Sequence, residues 1–406
     1  MSAPGRITKH AIRLAPFGRH TRYMLVGYLR HTLMVTAILL AIALTIDLWP
    51  QFHIIAVDNG YGVPGAIWSV LRYAGLRTPG LIAPFFPFAT FLGVLWTEVV
   101  LTQSGERMLV WNSGRSPVQC LAPVVLLGLI LGAGEFVLDA YLGPASMSLQ
   151  AQERLGLDGQ RLDRTRTSDP SWIALPDGLL RTEVEYGPPS VLHNLTFFRR
   201  DADGQLTEVV MAAVAHREPG TSLWVLKDGR SWTAKNTPTP GGGPSIVLGS
   251  TSGEKMVPFD LRTLPLDLDP LWLSVFGMES QYLPLSVLRP LTRSDRDPES
   301  LRIYQTRLQV VYGEAVLPGA MALLAASLAM LLLAYTTPVP ALIGIIFAGY
   351  LAHFGIKAFL LMGQIGYVSP VMAGWFIPAA LLAATLLVLL VIARRTKSRA
   401  APLNAA

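Results

Sequence analysis

The residues with the most chemical content in this 406-residue chain stand in one polar stretch between two apolar runs. It reads Leu101-Thr-Gln-Ser-Gly-Glu106-Arg107-Met108-Leu109-Val-Trp111-Asn-Ser-Gly114-Arg-Ser116. The stretch is too long for a tight turn. Glu106 and Arg107 give it a charged beginning, and Met108, Leu109 and Trp111 give it an apolar side, so it reads as a short helix lying on a membrane surface. Two roles fit such a helix. It lines the bilayer as an interfacial amphipath, or it docks against a soluble partner, with Glu106 as an ion pair or helix cap in the partner's groove. A second set of ionisable residues lies inside or beside apolar runs: Asp47, Glu135, Asp139, Arg307, Glu314, His353 and Lys357. Charges at membrane depth are costly and face a partner or a cavity. Arg307 and Glu314 are two helical turns apart, which suits an intrahelical structural pair. His353 and Lys357 are one turn apart, which suits gate-lining or anchoring groups better than a proton relay.

Signatures of catalysis are missing. No phosphate-binding loop exists; Gly249-Ser-Thr-Ser-Gly253-Glu-Lys255 has the wrong spacing. Neither a His-Glu-x-x-His metal motif nor a Gly-x-Ser-x-Gly nucleophile motif occurs. Cys120, the single cysteine, excludes an intrachain disulfide and any cysteine-based metal or redox pair. His193, His216, Glu183 and Glu185 are the remaining ingredients for a membrane-anchored enzyme acting on lipid or cell-envelope glycan, and they have no recognisable spacing.

The elements that would position these groups are membrane spans. Ala315 to Ile356 contains no Asp, Glu, Lys or Arg. That run exceeds one crossing of about 20 residues, and Pro338 and Pro340 fall where two crossings would turn. The chain is 51% hydrophobic and 15% charged, against roughly 25% charged for soluble domains. Six spans are expected, near 29–49, 78–102, 117–142, 307–335, 340–362 and 369–393. A short interfacial helix over Pro64–Ala74 precedes the second, which Pro79, Pro84 and Pro87 should bend. Thr32–Leu48 carries Asp47, ends at Trp49-Pro50 and offers no small-residue cleavage site, so it reads as an uncleaved span rather than a secretory signal. Arg6, Lys9, Arg13, Arg19, Arg22 and Arg30 precede the first span, and Arg394, Arg395, Lys397 and Arg399 follow the last. Basic flanks mark the inner side, so both ends face inward, with 103–116 also inside. Flanking spans as they do, these clusters argue against nucleic-acid binding. Arg77, Arg302 and Arg307 then lie at outer span ends, where they either snorkel to the interface or hold glycolipid phosphates.

The expected organisation is a basic segment 1–28, spans within 29–142, an inserted outer domain 143–300, spans within 301–393 and a tail 394–406. The inserted domain reads as β. Trp172-Ile-Ala-Leu, Gly178 to Tyr186, and the runs either side of Asp203-Gly204 and of Lys227-Asp228-Gly229 are strand-like, with Gly-bearing turns between them. Successive short strands of this kind imply an antiparallel sandwich or jelly-roll-like sheet. Asn236–Ser245 reads as a loop. No internal repeat is visible, which counts against an ion-coupled secondary carrier.

Three stretches carry a resemblance. Pro84-Phe-Phe-Pro87-Phe-Ala-Thr-Phe-Leu-Gly-Val-Leu leads into Leu101…Glu106…Ser113-Gly114-Arg115-Ser116; Ile303-Tyr-Gln-Thr-Arg307-Leu is followed by Pro318; and Gly363-Gln-Ile-Gly366…Pro370…Ala373-Gly-Trp375-Phe-Ile-Pro378 closes the chain. Their order and spacing resemble the LptF/LptG family of lipopolysaccharide export permeases, over nearly the whole chain. The family's Ala-Ala-Gly reads Asn112-Ser113-Gly114 here. The resemblance implies six transmembrane helices with an inserted periplasmic all-β, jelly-roll-like domain in the bacterial inner membrane. It implies an ABC-transporter permease subunit, not an enzyme, with no cofactor of its own because ATP binds a partner subunit. The implied partners are a cytoplasmic ATPase dimer, a paralogous permease subunit, a single-span LptC-like protein, an LptA-like bridge, and lipopolysaccharide itself. Ile46-Asp47 leans toward the LptG type. On this reading Glu106, Arg107, Trp111 and Gly114 couple to the ATPase. Arg77, Arg302 and Arg307 bind lipid, and Asp47, His353 and Lys357 line the gate.

Overall fold

The computed structural model describes residues 18–57, 62–112, 116–161, 167–186, 189–218, 220–234, 256–293, 298–333 and 336–400. The basic segment before residue 18, Gly114, and the loop at 236–245 lie outside the described residues. The chain divides into two compact units, Met1–Ser146 with Gln305–Ala406, and Met147–Tyr304.

The first unit begins with α1 (Arg19–Val57), α2 (Gly62–Ile82), α3 (Phe86–Gln103), α4 (Glu106–Asn112), α5 (Pro117–Cys120) and α6 (Ala122–Val137). The expected interfacial helix and second span are one continuous rod. α2 runs through a single 3₁₀ turn, Ala83–Phe85, into α3. Pro84 and Pro87 therefore tighten the winding without breaking it. One turn earlier, beside Pro79, the Thr78 hydroxyl donates to the Ala74 carbonyl at 2.7 Å, the kind of local satisfaction a proline-bearing membrane helix needs. After α6 the chain underwinds into a wider π turn, Leu138–Leu142, before resuming as α7 (Gly143–Gln152).

In the second unit α8 (Gly156–Arg161) precedes six strands: β1 (Ser171–Leu175), β2 (Gly178–Glu185), β3 (Val191–Arg200), β4 (Leu206–Arg217), β5 (Leu223–Thr233) and β6 (Val257–Pro265). Each pairs antiparallel with the next, in the order β1-β2-β3-β4-β5-β6. The inserted domain is all-β in its sheet, as expected, but its described strands form a meander without the crossovers of a jelly roll. Asp203-Gly204 does turn the chain between β3 and β4, with Asp201 Oδ1 accepting from the Asp203 and Gln205 amides. Lys227-Asp228-Gly229 does not. It lies inside β5, where Asp228 adopts φ 52° and Asn194 on β3 adopts φ 49°. Asn and Asp tolerate this left-handed region better than other side chains. Such a residue turns a strand over without reversing it. Leu192 and Leu195 on β3, three residues apart across Asn194, consequently face the same core; on the paired β4, Ala212 and Ala215 do so without a left-handed residue. The effect is a sheet that curls. Glu208 stands opposite Thr233 and Arg262 opposite Leu226, seven positions away along β5 (233 less 226). A flat sheet would hold those groups more than about 20 Å apart at about 3.3 Å per residue, yet Arg262 donates a hydrogen bond to Glu208. The enclosed core contains Phe197, Val210, Trp224 and Leu226. It is closed further by Leu273 of α9 (Pro270–Ser274), followed in the chain by α10 (Leu285–Leu291).

Returning to the first unit, α11 (Pro298–Glu314) and α12 (Leu317–Leu332) are followed by α13 (Val339–Gln364) and α14 (Pro370–Ala400). The expected fourth span is a bent pair, Leu301–Glu314 and Leu317–Leu332, at 46°. The cause is Pro318, which has no N–H to return to the Glu314 carbonyl. Among the described residues five helices are long and apolar enough to cross a membrane, and the bent pair makes a sixth. α12 is the centre of the unit: Met321, Ala322, Ala325 and Ala326 are wholly buried, and it packs against α3, α6 and α14. Small residues allow these approaches where lipid offers no hydrophobic drive between helices. A Cβ on Gly128 would lie 2.6 Å from the Gly319 Cα.

Gly128→Ala should therefore destabilise the chain by roughly 1–3 kcal/mol through overpacking. Gly134→Ala, which meets no atom within 4 Å, should be neutral or stabilising by up to about 1 kcal/mol. Thermal unfolding of the two variants in detergent checks this, and equal shifts would contradict the packing described.

Candidate functional site

The polar stretch between α3 and α4 has an anchored root and an open outer side. Gly105, at φ 76°, turns the chain out of α3, and the Met108 amide returns to its carbonyl at 3.1 Å. Arg107 then points inward. It is 2% exposed and pairs with Glu98 of α3, itself 1% exposed, while the wholly buried Tyr28 of α1 donates its hydroxyl to the same carboxylate. Thr102 donates to the Leu333 carbonyl beyond α12 at 3.2 Å. Three separate elements thus hold the base of α4. Outward, Met108 and Leu109 are exposed and apolar, and the half-exposed Glu106 accepts from the Tyr23 hydroxyl at 3.3 Å. Glu106 keeps a surface position from which a partner could reach it. Arg107, expected beside it as a second docking charge, is instead a buried fastening, because a guanidinium facing apolar helices must find an anion. The Trp111 side chain and Gly114 lie outside the described residues.

Arg77 and Asp47, assigned above to lipid and gate, meet each other. Arg77 Nη2 lies 3.1 Å from Asp47 Oδ1, and Nε 3.2 Å from the same oxygen. The Tyr73 hydroxyl donates to Asp47 Oδ2 at 2.7 Å. This junction ties α1 to α2, and at 16% side-chain exposure Arg77 offers little surface to a ligand.

Arg307 is likewise enclosed. Its Nη2 lies 2.7 Å from Asp139 Oδ1 on the π turn, and its Nη1 3.6 Å from Glu314 Oε2. The intrahelical pair expected with Glu314 is present, and Asp139 joins it from the π turn that follows α6. Lys357 of α13 adds a second positive charge within electrostatic reach of Glu135 and Glu314. Glu135 is wholly buried and, among the described residues, neither carboxylate oxygen has a hydrogen-bond partner. The cluster sits where the α11–α12 pair bends and the chain after α6 widens into its π turn. His353, one turn from Lys357, turns to a different set of neighbours: its ring lies 6.1 Å from Phe85 and 5.5 Å from Phe88. Arg302 is half-exposed, and among the described residues no ion pair engages it.

The enzyme ingredients do not assemble. His193 Nε2 and Glu185 are 2.6 Å apart, and Asn194 reaches Glu183 at 3.2 Å, on an exposed part of β2–β3. No group of three or more His, Cys, Asp or Glu suits a metal ion among the described residues. Sequence reasoning missed Glu98 and Tyr28, and it reads Tyr73 as a headgroup-level anchor of the 64–74 helix, whereas Tyr73 is buried against Asp47. Glu98 was findable, since a carboxylate inside an apolar span demands a partner; Tyr28 carries no such flag.

Glu98→Leu alone strands Arg107 and should cost about 3–5 kcal/mol. The double variant Glu98→Leu with Arg107→Met should recover most of that loss. Unfolding of the detergent-solubilised chain measures both, and a single variant as stable as the parent would contradict the buried pair.

No curated protein matches the chain. A family model described as lipopolysaccharide export system permease LptF/LptG matches residues 22–391.

Proposed function

Because the chain belongs to the LptF/LptG family of lipopolysaccharide export permeases, a multi-pass membrane family, we propose that it is one membrane half of an ABC exporter. It lifts lipopolysaccharide from the bacterial inner membrane under power from a separate cytoplasmic ATPase dimer. The observation that supports this most directly is the α3–α4 junction. A short helix with an exposed apolar side and an exposed-edge carboxylate, rooted by charges no water can reach, is built to receive force rather than only to lie on lipid. Met108, Leu109 and Glu106 engage the ATPase. Arg107, held by Glu98 and Tyr28, passes the displacement into α3 and α1 together.

Inside the membrane unit the displacement has somewhere to go. α3 begins at the aromatic contacts of His353, which makes α13 the neighbour that feels it. The bent α11–α12 pair, with its enclosed charges, is the second yielding point. A paralogous permease subunit completes the lipid cavity. Arg302, half-exposed and without an ion pair among the described residues, is the strongest of the three arginines for a lipid phosphate. The β unit carries the cargo's acyl chains onward to an LptC-like protein and an LptA-like bridge. ATP is hydrolysed by the partner, and this chain contributes no catalytic group.

The test is reconstitution. Glu106→Arg in the assembled complex should lower ATP-driven release of lipopolysaccharide from proteoliposomes by about tenfold or more, the scale of a lost interface hot spot. The variant chain should melt as the parent does. If the parent chain, extracted gently from its native membrane, brings down no ATP-binding subunit, the exporter reading fails.

A further inference from the structure

The curled sheet of the second unit is clasped by charge. Glu208 of β4 is 9% exposed at its side chain and holds two arginines at once. Arg199 Nη1 of β3 lies 2.7 Å away, from the opposed register position, and Arg262 of β6 reaches over from the far side of the curl. Asp177 adds a looser contact to Arg199 at 3.4 Å. Each guanidinium also lies over an aromatic ring that leads into the core, Arg199 over Phe197 at 5.4 Å and Arg262 over Phe259 at 6.0 Å. The arginines remain reachable, at 28% and 32% exposure. The arrangement is a two-armed cationic fork at the boundary between solvent and an apolar interior.

We propose that Arg199 and Arg262 form a binding site for the phosphate of an acylated amphiphile, and that Glu208 occupies that site while the sheet is clasped. The chemistry argues for this ligand class. A guanidinium presents paired N–H donors that fit a carboxylate and a phosphate equally well, so Glu208 is a built-in competitor for the same fork. A phosphate carries more charge and more acceptor oxygens than one carboxylate. The flanking Phe197 and Phe259 rings supply the apolar wall that the adjoining acyl chain needs. Exchange of Glu208 for phosphate removes the hydrogen bond that joins β4 to β6 across the curl, so ligand arrival and loosening of the sheet are one event. The biological identity of the amphiphile rests on the exporter reading, but binding by the isolated chain does not.

The experiment uses the full chain in a non-ionic detergent, with no ATPase present, titrated with dodecyl phosphate and separately with inorganic phosphate. Dodecyl phosphate should bind the parent, and Glu208→Gln should bind it about tenfold more tightly, the scale of one hydrogen bond to a charged group. Arg262→Lys keeps the charge but loses the fork, and should bind about tenfold more weakly. Inorganic phosphate should bind at least about tenfold more weakly than dodecyl phosphate if the apolar wall contributes. Equal binding of the two would overturn the amphiphile and leave an anion site. A purely structural clasp predicts that Glu208→Gln loosens the fold without tightening the ligand, and that result overturns the proposal. Should Glu208→Gln fail to fold, the Arg262→Lys titration decides: unchanged affinity there is equally fatal. Failure of the parent to recruit an ATPase would sink the exporter reading and leave this titration untouched.

Discussion

Water is scarce inside the helical unit, so a charge enclosed there must be met by an opposite charge. That constraint explains which residues stand together. Arg107 meets Glu98, Arg77 meets Asp47, and Arg307 meets Asp139 and Glu314. Except for Arg307 with Glu314, which both lie on α11, each pair joins different elements and so converts an electrostatic necessity into a mechanical fastening. A buried pair is weak evidence for stability, because desolvation opposes it, but breaking one partner away is strongly unfavourable. Such fastenings therefore hold helices in register without adding much to the total free energy. Glu135 is the exception, wholly buried and without a hydrogen bond among the described residues. It sits beside the bend that Pro318 makes unavoidable.

Between the fastenings, the unit relies on small side chains. Gly128 against Gly319 lets α6 and α12 touch backbone to backbone, and the alanines of α12 let three neighbours close around it. α1 and α14 carry large exposed aliphatic and aromatic residues along their outer faces, as lipid or a second subunit requires. The helical unit is thus rigid at its centre and jointed at a few points: the turn at Gly105, the proline break before α12 and the π turn after Val137. The root of α4, at Arg107 and Glu98, belongs to the rigid part.

Much of this was legible in the sequence. An uncharged run from Ala315 to Ile356 leaves no alternative to spans, and Gly-bearing turns between alternating strands leave little alternative to a β insertion. The turn at Asp203-Gly204 was read correctly and the similar Lys227-Asp228-Gly229 was not. The same residues that reverse a hairpin can kink a strand, and the register of neighbouring strands decides between them. The site was legible in part. Glu106 stands where its position beside an apolar patch implied. Arg107 and Arg77 were read as facing a partner or lipid, and Arg307 as a lipid contact or a partner of Glu314 alone, because a sequence shows the charge of a residue but not the carboxylate waiting on another helix. Asp139 and Asp47 were both noticed as costly; nothing in one dimension paired them with arginines 168 and 30 positions away.

The central claim is that α4 and its two supporting helices move as one body because Arg107 is bolted between them. Spin labels at Asn112 on α4, Ile38 on α1 and Phe347 on α13, all exposed positions, report on this in the assembled transporter. Pulsed dipolar spectroscopy through the nucleotide cycle should show one unchanging distance between Asn112 and Ile38, while the distance from Asn112 to Phe347 shifts. An Asn112–Ile38 distance that changes with nucleotide, at constant Asn112–Phe347 separation, would contradict the account.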